Sequence, residues 1–264
     1  MPFTVAHAAA ALPFRKLNLV WSAFIVGSLA PDFPYVIGNI EYRAWGHDFP
    51  GLVLFTLPMS FAMLWFFHFA IKRPIAGLLP IGMQQRLAGE LGKFRFGGAS
   101  RFAVIAFSIF LGITTHLVWD AITHPFTWPW RHSAWLRSMV ELPNGDWLQT
   151  YAFLQYASTV VGLVALGIWI LLWYRKTAPV TGTSSQRPLK SRVPLAAGMC
   201  VASLAIGLLR AWFLIGELPR TKNNWEWFIL NFAVTALAAV FWVLLLYCLI
   251  TTSRRYAVRR LSSA

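Results

Sequence analysis

Long apolar runs without charged residues alternate with short basic segments along the chain. Each of the five longest runs has about the 20 residues that a helix needs to cross the hydrocarbon of a membrane. These runs cover residues 51–71, 102–119, 147–173, 193–209 and 227–253. We expect each of them to form a membrane-spanning helix.

A sixth apolar stretch, residues 17–40, is interrupted by Pro31 and Asp32. Proline breaks the hydrogen-bond ladder of a helix and a carboxylate is costly in lipid, so we expect a short or broken helix here. The chain is 58% hydrophobic and 12% charged, with a mean hydropathy of +0.58, which excludes a soluble globular protein. The pattern predicts an all-α, polytopic membrane helix bundle of about six helices.

The basic residues are distributed unevenly between the two sides of this predicted bundle. Of 23 Lys and Arg, 17 fall in residues 15–16, 72–101, 175–192 and 254–260, and five fall in the intervening loops. The positive-inside rule then places both termini and the two long basic loops in the cytoplasm. The orientation of the protein in the membrane and its attraction to anionic lipid explain the net charge of +14. We therefore expect no nucleic-acid partner. The sequence leaves the protein partners unknown.

Residues 176–192 combine Pro, Thr, Ser and Gly with basic residues, a composition typical of a flexible linker. We expect this cytoplasmic linker to separate two parts of the chain. Residues 1–175 would form a membrane domain with helices 1–4 and a polar site, and residues 193–264 two further helices and a basic tail. Cys200 and Cys248 fall inside predicted spans without CxxC spacing, which argues against a disulfide or a thiolate metal site.

Ionisable side chains recur on one face of the predicted helix over residues 102–119 and just beyond it. His116, Asp120 and His124 are spaced at i, i+4 and i+8, so they form one stripe on a helix of 3.6 residues per turn. Neighbouring members rise about 6 Å, which lets His116 and Asp120 share one cation. His124 lies about 12 Å from His116 and needs another role. Pro125 then ends the helix.

Other candidate ligands lie at a depth similar to that of this stripe, in the outer part of the membrane. Asp32 ends the broken first helix, and His47 and Asp48 lie where the outer loop enters the next helix. Imidazole and carboxylate without thiolate suit zinc, manganese or iron, and we expect a divalent ion, with zinc as the first choice. The alternative for each residue taken singly is structural. An intramembrane His or Asp also caps helices, binds carbonyl groups or pairs with arginine.

Arg210 lies at the C-terminal end of the helix predicted over residues 193–209. Its depth in the membrane is close to that of Asp120, and three interpretations of it are open. It forms a buried ion pair with Asp120, it binds phosphate oxygens as an anion clamp beside the metal, or it extends to the membrane surface. Gln155 and Ser158, three residues apart on another predicted helix, offer substrate contacts or an interhelical hydrogen bond.

Several sequence blocks, in order, carry a resemblance to a known family. They lie at residues 1–13, 27–33, 46–47, 50–52, 93–96, 115–124 and 154–158. Over residues 1–175 the chain resembles the bacterial domain-of-unknown-function family 4184, which implies a location in the bacterial inner membrane. The layout is also similar to that of the membrane-bound metal-dependent hydrolases and, more remotely, of zinc-dependent phospholipase C.

The resemblance implies a metal-binding role for five residues: His7, Asp32, His47, His116 and Asp120. His7 raises a conflict, since the charge rule places it across the membrane from Asp32. It reaches the outward site only if residues 3–12 fold back beside the first span. Arg15 and Lys16 argue against this fold, and the resemblance argues for it.

These features predict a membrane-embedded, metal-dependent hydrolase that acts from the outer face on a phosphoester or another bond of a lipid-like substrate. A water activated by the ion would be the nucleophile, with His124 or Asp48 as general base or acid and Arg210 as the anion clamp. Two non-enzymatic alternatives are open. The same stripe could conduct protons or a divalent cation, or its polar residues could simply hold the helices together.

Overall fold

The structure, a computed structural model, describes residues 4–34, 46–47, 49–92, 94–143, 145–180, 189–215 and 222–262. These residues are almost entirely helical, which confirms the predicted all-α fold. Five helices within the described ranges are long and apolar enough to cross a membrane, against about six predicted. The chain is therefore a multi-pass membrane protein.

The N-terminal region contains α1 (Thr4–Lys16, in 3₁₀ geometry), α2 (Trp21–Leu29) and a 3₁₀ turn (Ala30–Asp32). The long helix α3 (Phe49–Ala76) includes two π-helical stretches and is followed by α4 (Ile81–Leu87). After these come α5 (Ala99–Thr123), α6 (Trp128–His132), α7 (Ala134–Arg137), β1 (Met139–Glu141), β2 (Trp147–Gln149), α8 (Thr150–Lys176), α9 (Leu189–Ile215) and α10 (Lys222–Ser262). The two strands pair antiparallel, with Met139 opposite Gln149.

The chain divides into two compact units. The first comprises Met1–Phe33, Arg43–Leu64 and Arg95–Lys176. The second comprises Pro34–Tyr42, Trp65–Phe94 and Thr177–Ala264. The predicted domain boundaries at residues 175 and 193 stay a prediction, and residues 181–188 of the predicted linker lie outside the described residues.

Helix α1 folds back antiparallel to α2 in the first unit. Thr4 Oγ1 donates to Asp32 Oδ2 at 2.8 Å, and at the other end Phe14 packs on Phe24 with ring centroids 5.4 Å apart. Helix α1 also contacts α5 and α8. The described part of residues 3–12 therefore takes the fold-back arrangement that the family resemblance favours.

Two glycines let the backbones of α2 and α5 touch. A Cβ atom on Gly27 would lie 2.2 Å from the Ile109 carbonyl oxygen, and one on Gly112 would lie 2.1 Å from the Phe24 carbonyl oxygen. A side chain at either position would require the backbone to move. This close approach brings the C-terminal end of α2 within reach of the ionisable stripe on α5.

A threonine redirects the chain after α5. Thr127 Oγ1 donates to the Ala121 carbonyl at 2.7 Å and to the His124 carbonyl at 3.2 Å. It also accepts from the Trp130 amide at 3.3 Å as the N-cap of α6. The turn passes through Phe126, which has a positive φ of 65°. These contacts fix the backbone of His124 at the end of the stripe.

In the second unit, α9 and α10 lie along one another. A Cβ atom on Gly207 would come within 2.8 Å of the Ala236 side chain, so this contact requires a small residue. Thr252 Oγ1 donates to the Ala70 carbonyl at 3.0 Å, which joins α10 to the C-terminal part of α3.

Replacing Gly112 by alanine tests the contact between α2 and α5. We expect Gly112→Ala to lower the free energy of unfolding by about 1–3 kcal/mol, because the added methyl group overpacks against the α2 backbone. Gly167→Ala on α8 is the matched control, since nothing lies within 4 Å of its Cβ position. Unfolding of the purified protein in detergent, followed by tryptophan fluorescence, measures both variants. Equal stability of the two would contradict the packing role of Gly112.

Candidate metal centre

Four of the predicted ligands come together in the first unit. Asp32, His47, His116 and Asp120, here called the four-ligand cluster, each offer one ligand atom, and these atoms all lie within 4.8 Å of one another. They come from the 3₁₀ turn after α2, the segment before α3, and one face of α5. All four are largely buried, and this group could hold a metal ion.

The spacing within the four-ligand cluster suits a tetrahedral ion. Asp120 Oδ2 lies 3.4 Å from both His47 Nε2 and His116 Nε2. Asp32 Oδ1 lies 3.7 Å from His116 Nε2 and 4.0 Å from His47 Nε2. Two ligands of a tetrahedral zinc ion lie about 3.3–3.6 Å apart, given the usual lengths of zinc–ligand bonds. The Asp120 contacts match this spacing, and the Asp32 contacts are slightly wider.

The His116 ring is oriented by a carbonyl group. Its Nδ1 donates to the Ser28 carbonyl oxygen at 2.8 Å. In the neutral ring the proton is then on Nδ1, so Nε2 turns its lone pair toward the carboxylates of Asp32 and Asp120. A lone pair that faces two buried carboxylates is repelled unless a cation lies between them. The carbonyl partner on the far side of the ring is typical of a metal-ligating histidine.

Asp32 is oriented from α1. Thr4 Oγ1 donates to Asp32 Oδ2 at 2.8 Å, so the other carboxylate oxygen is the one that faces His47 and His116. The hydrogen bond from the hydroxyl group thus occupies Asp32 Oδ2, and Oδ1 is available to bind an ion.

His7 joins the site through the fold-back of α1. Its Nε2 lies 3.5 Å from Asp120 Oδ1, and its ring stacks on that of His116 with centroids 4.1 Å apart. Burial, followed by the effect of the His116 imidazole, lowers the pKa of His7 to about 4, so the ring is neutral at pH 7. His7 contacts a different oxygen of Asp120 from the one that faces His47 and His116.

Buried atoms without a hydrogen bond mark the centre of this site. Within the part of the chain that the structure describes, His7 Nε2, His116 Nε2 and Asp120 Oδ1 have no hydrogen-bond partner. Each unsatisfied buried polar atom costs about 1–3 kcal/mol. Bound cations would satisfy these atoms, which supports the metal-binding interpretation.

His124 and Gln155 extend the site along α5 and α8. His124 Nδ1 lies 3.5 Å from Asp120 Oδ1 and 3.2 Å from the Asp120 carbonyl oxygen. Its Nε2 lies 3.3 Å from the Gln155 amide nitrogen. Gln155 thus reaches the site through His124. The acid–base role of His124 and the substrate-binding role of Gln155 stay predictions.

The comparisons with known proteins identify a family. The family model described as "Domain of unknown function (DUF4184)" matches residues 1–249. The chain belongs to this family. The match extends beyond residues 1–175 and includes α9 and most of α10 of this DUF4184 protein. No match was found among curated proteins or among solved structures.

Three further residues of the DUF4184 protein are predicted to contact substrate or move protons. Ser158 Oγ accepts from Trp119 Nε1 at 3.2 Å and donates to the Gln155 carbonyl at 3.1 Å, which links α5 to α8. Arg210 has an exposed side chain on α9, in the second unit. Asp48 lies outside the described residues. The functional roles of all three stay predictions.

Three residues that orient the ligands were not expected from the sequence: Thr4, Ser28 and Gly46. A Cβ atom on Gly46 would lie 2.1 Å from the Pro31 carbonyl oxygen, so glycine lets the chain before His47 press against the turn that carries Asp32. Thr4 lies one 3₁₀ turn before His7 and Gly46 directly precedes His47, which are weak local signals. No local signal marks Ser28, because its carbonyl contact depends on helix packing.

Metal content tests the centre of the DUF4184 protein directly. The purified wild type should bind a divalent metal stoichiometrically after reconstitution, and His116→Ala should bind at least one ion less because it loses a central ligand. His132→Ala is the matched control, since His132 is exposed and its Nδ1 donates to the Trp128 carbonyl. Elemental analysis measures the metal, and size-exclusion chromatography checks folding. A wild type that takes up no metal would contradict the interpretation.

Proposed function

We propose that this DUF4184 protein is a membrane-embedded hydrolase that uses a divalent ion, with zinc as the first choice, to cleave a phosphoester or another bond of a lipid-like substrate. The observation that carries the proposal is the buried His116 Nε2 atom, which faces the carboxylates of Asp32 and Asp120 without a hydrogen-bond partner among the described residues.

The ligand set supports hydrolytic chemistry. Imidazole and carboxylate are the ligands of many catalytic zinc sites, and an ion in such a site lowers the pKa of water to about 7 and polarises phosphoryl or carbonyl oxygens. Members of the four-ligand cluster would hold the ion, with one coordination position left for water as in catalytic zinc sites. Thr4 would keep Asp32 Oδ1 available to the ion, and Ser28 would do the same for His116 Nε2.

The exposure of the cluster indicates where a substrate would enter. The side chain of His47 is 18% exposed, whereas those of the other three ligands are 0–7% exposed. Phe49, two residues after His47, is 79% exposed. A partly exposed ligand close in the chain to an exposed apolar side chain suits a substrate whose hydrophobic part arrives from the bilayer.

Hydrolysis in reconstituted membranes tests the proposal. Wild-type protein in liposomes, loaded with Zn²⁺, should release product from phosphomonoester, phosphodiester or carboxylic-ester lipids, as measured by mass spectrometry of the lipid extract. Metal-stripped protein and Asp32→Asn should show no release above background, because the ion is lost or its ligand is uncharged. His132→Ala should match the wild type.

Other outcomes would favour the non-enzymatic alternatives. A metal-loaded wild type that cleaves none of these lipid classes would overturn the hydrolase. If that protein moves Zn²⁺ or protons across the liposome membrane and Asp32→Asn abolishes the movement, the site is a cation pathway. If it does neither and Asp32→Asn only destabilises the fold, the site is a scaffold.

We also propose that the metal centre faces the outer side of a bacterial inner membrane. The basic segments at residues 72–101, 175–192 and 254–260 support this orientation, which makes the C-terminus cytoplasmic. The charge rule predicts a cytoplasmic N-terminus as well. The hydrogen bond from Thr4 to Asp32 instead favours a position of the start of α1 on the same side of the membrane as the metal centre.

Cysteine labelling checks this orientation. In a background of Cys200→Ser and Cys248→Ser, Glu141→Cys should react with a membrane-impermeant maleimide in intact cells. Glu90→Cys should react only after permeabilisation, because it belongs to the basic segment at residues 72–101. The reverse pattern would place the site on the cytoplasmic side.

A further inference from the structure

A histidine one turn beyond Asp120 lies against both its backbone and its side chain. His124 Nδ1 lies 3.2 Å from the Asp120 carbonyl oxygen and 3.5 Å from Asp120 Oδ1. The geometry points to His124 and Gln155 as positioning residues, which hold Asp120 so that its other oxygen, Oδ2, faces the ion. They neither bind the ion nor exchange protons with a substrate. This inference rests on the proposed metal centre and deepens it.

The contacts of the His124 ring fix its tautomer. A carbonyl oxygen only accepts hydrogen bonds, so Nδ1 carries the proton and donates to the Asp120 carbonyl. In the neutral ring Nε2 then has the lone pair, and it accepts from the Gln155 amide nitrogen at 3.3 Å. One neutral tautomer thus satisfies both contacts. Because both ring nitrogens are occupied, no lone pair is left for an ion and no nitrogen for proton transfer.

The same N–H group orients the carboxylate of Asp120. Oδ1, at 3.5 Å from His124 Nδ1, is beyond a normal hydrogen bond but lies next to the positive end of the N–H dipole. Oδ2 then lies 3.4 Å from Nε2 of both His47 and His116. His7 also approaches Oδ1 at 3.5 Å, but its Nε2 has no hydrogen-bond partner among the described residues. Of the two histidines beside Oδ1, His124 is therefore the one whose ring is held from both sides.

An outer hydrogen bond of this kind is also present at Asp32 and His116. The Asp32 carboxylate accepts from a threonine on α1, and the His116 ring donates to a carbonyl on α2. Such partners fix the orientation of metal ligands, and removing one typically lowers metal affinity or activity about 10- to 100-fold. His124 gives Asp120 a partner of the same kind. The orientation of three of the four ligands then depends on residues outside the cluster.

Gln155 holds the His124 ring from α8. Gln155 is 8% exposed, and a buried amide is costly unless it is hydrogen-bonded. Its donation to His124 Nε2 meets this need and keeps the ring from turning over. A second hydrogen bond, from Trp119 Nε1 to Ser158 Oγ at 3.2 Å, joins the same two helices. In the described part of the chain neither of these two side chains has a hydrogen bond to Asp120, so this contact separates the joining of α5 to α8 from the positioning of the ligand.

Zinc affinity tests the positioning role. The full-length protein in detergent is titrated with Zn²⁺ in competition with a chromophoric chelator. We expect His124→Leu to weaken Zn²⁺ binding about 10- to 100-fold, because Asp120 loses its outer partner. His124→Asn should restore most of the affinity, since its amide keeps a donor near the position of Nδ1. Gln155→Leu should weaken binding in the same direction as His124→Leu. Trp119→Phe is the matched control and should bind as the wild type does, because it removes only the other contact between α5 and α8.

The tautomer of His124 gives a second readout that needs neither activity nor metal. Nitrogen-15 NMR of protein with labelled histidine distinguishes a proton on Nδ1 from a proton on Nε2. The signal that is missing from His124→Leu identifies His124 in the wild type. We expect the proton on Nδ1 in the metal-free wild type, because the Asp120 carbonyl oxygen needs a donor and the Gln155 amide nitrogen needs an acceptor.

The outcomes separate this inference from the proposed hydrolase. Unchanged zinc affinity in His124→Leu, an equal loss in His124→Asn or in Trp119→Phe, or a proton on Nε2 would overturn the positioning role and leave the hydrolase standing. An affinity that falls in His124→Leu and recovers in His124→Asn, without hydrolysis by the wild type, would overturn only the hydrolase. A wild type that binds no metal would overturn both. If a variant does not stay folded on size-exclusion chromatography, the tautomer of the wild type still decides.

Discussion

A carboxylate buried within a membrane helix is the constraint around which the first unit is built. Asp120 is 5% exposed on α5, and a charge in such surroundings costs several kcal/mol unless it is compensated. Within the described ranges, the side chains that come closest to its carboxylate as ion-pair partners are histidines, with neither lysine nor arginine among them. A cation shared by these carboxylate and imidazole groups would supply the compensating charge, and the four-ligand cluster could hold one.

Short side chains impose a close approach of the backbones. Aspartate and histidine reach only a few ångströms, so ligands from different elements meet only where those elements nearly touch. Gly27 and Gly112 provide this approach between α2 and α5, and Gly46 provides it between the chain before α3 and the turn after α2. The same glycines therefore serve the packing of the helices and the geometry of the site.

The fold-back of α1 connects the start of the chain to both carboxylates. Thr4 contacts Asp32 and His7 contacts Asp120, from neighbouring turns of one helix. This explains why the family resemblance was a better guide to His7 than the charge rule. The rule counts basic residues at the ends of apolar runs, whereas α1 is placed by its contacts with α2, α5 and α8.

The sequence by itself determined the membrane spans and the pairing of His116 with Asp120, because the length of an apolar run and the spacing of residues on a helix are local properties. It also indicated that Asp32 and His47 lie at a similar depth. Only the tertiary structure decided that His7 reaches the site, and which oxygen of Asp120 each histidine faces. The physical reason is that these contacts depend on backbone approach and side-chain rotamers in segments far apart along the chain, which no local pattern encodes.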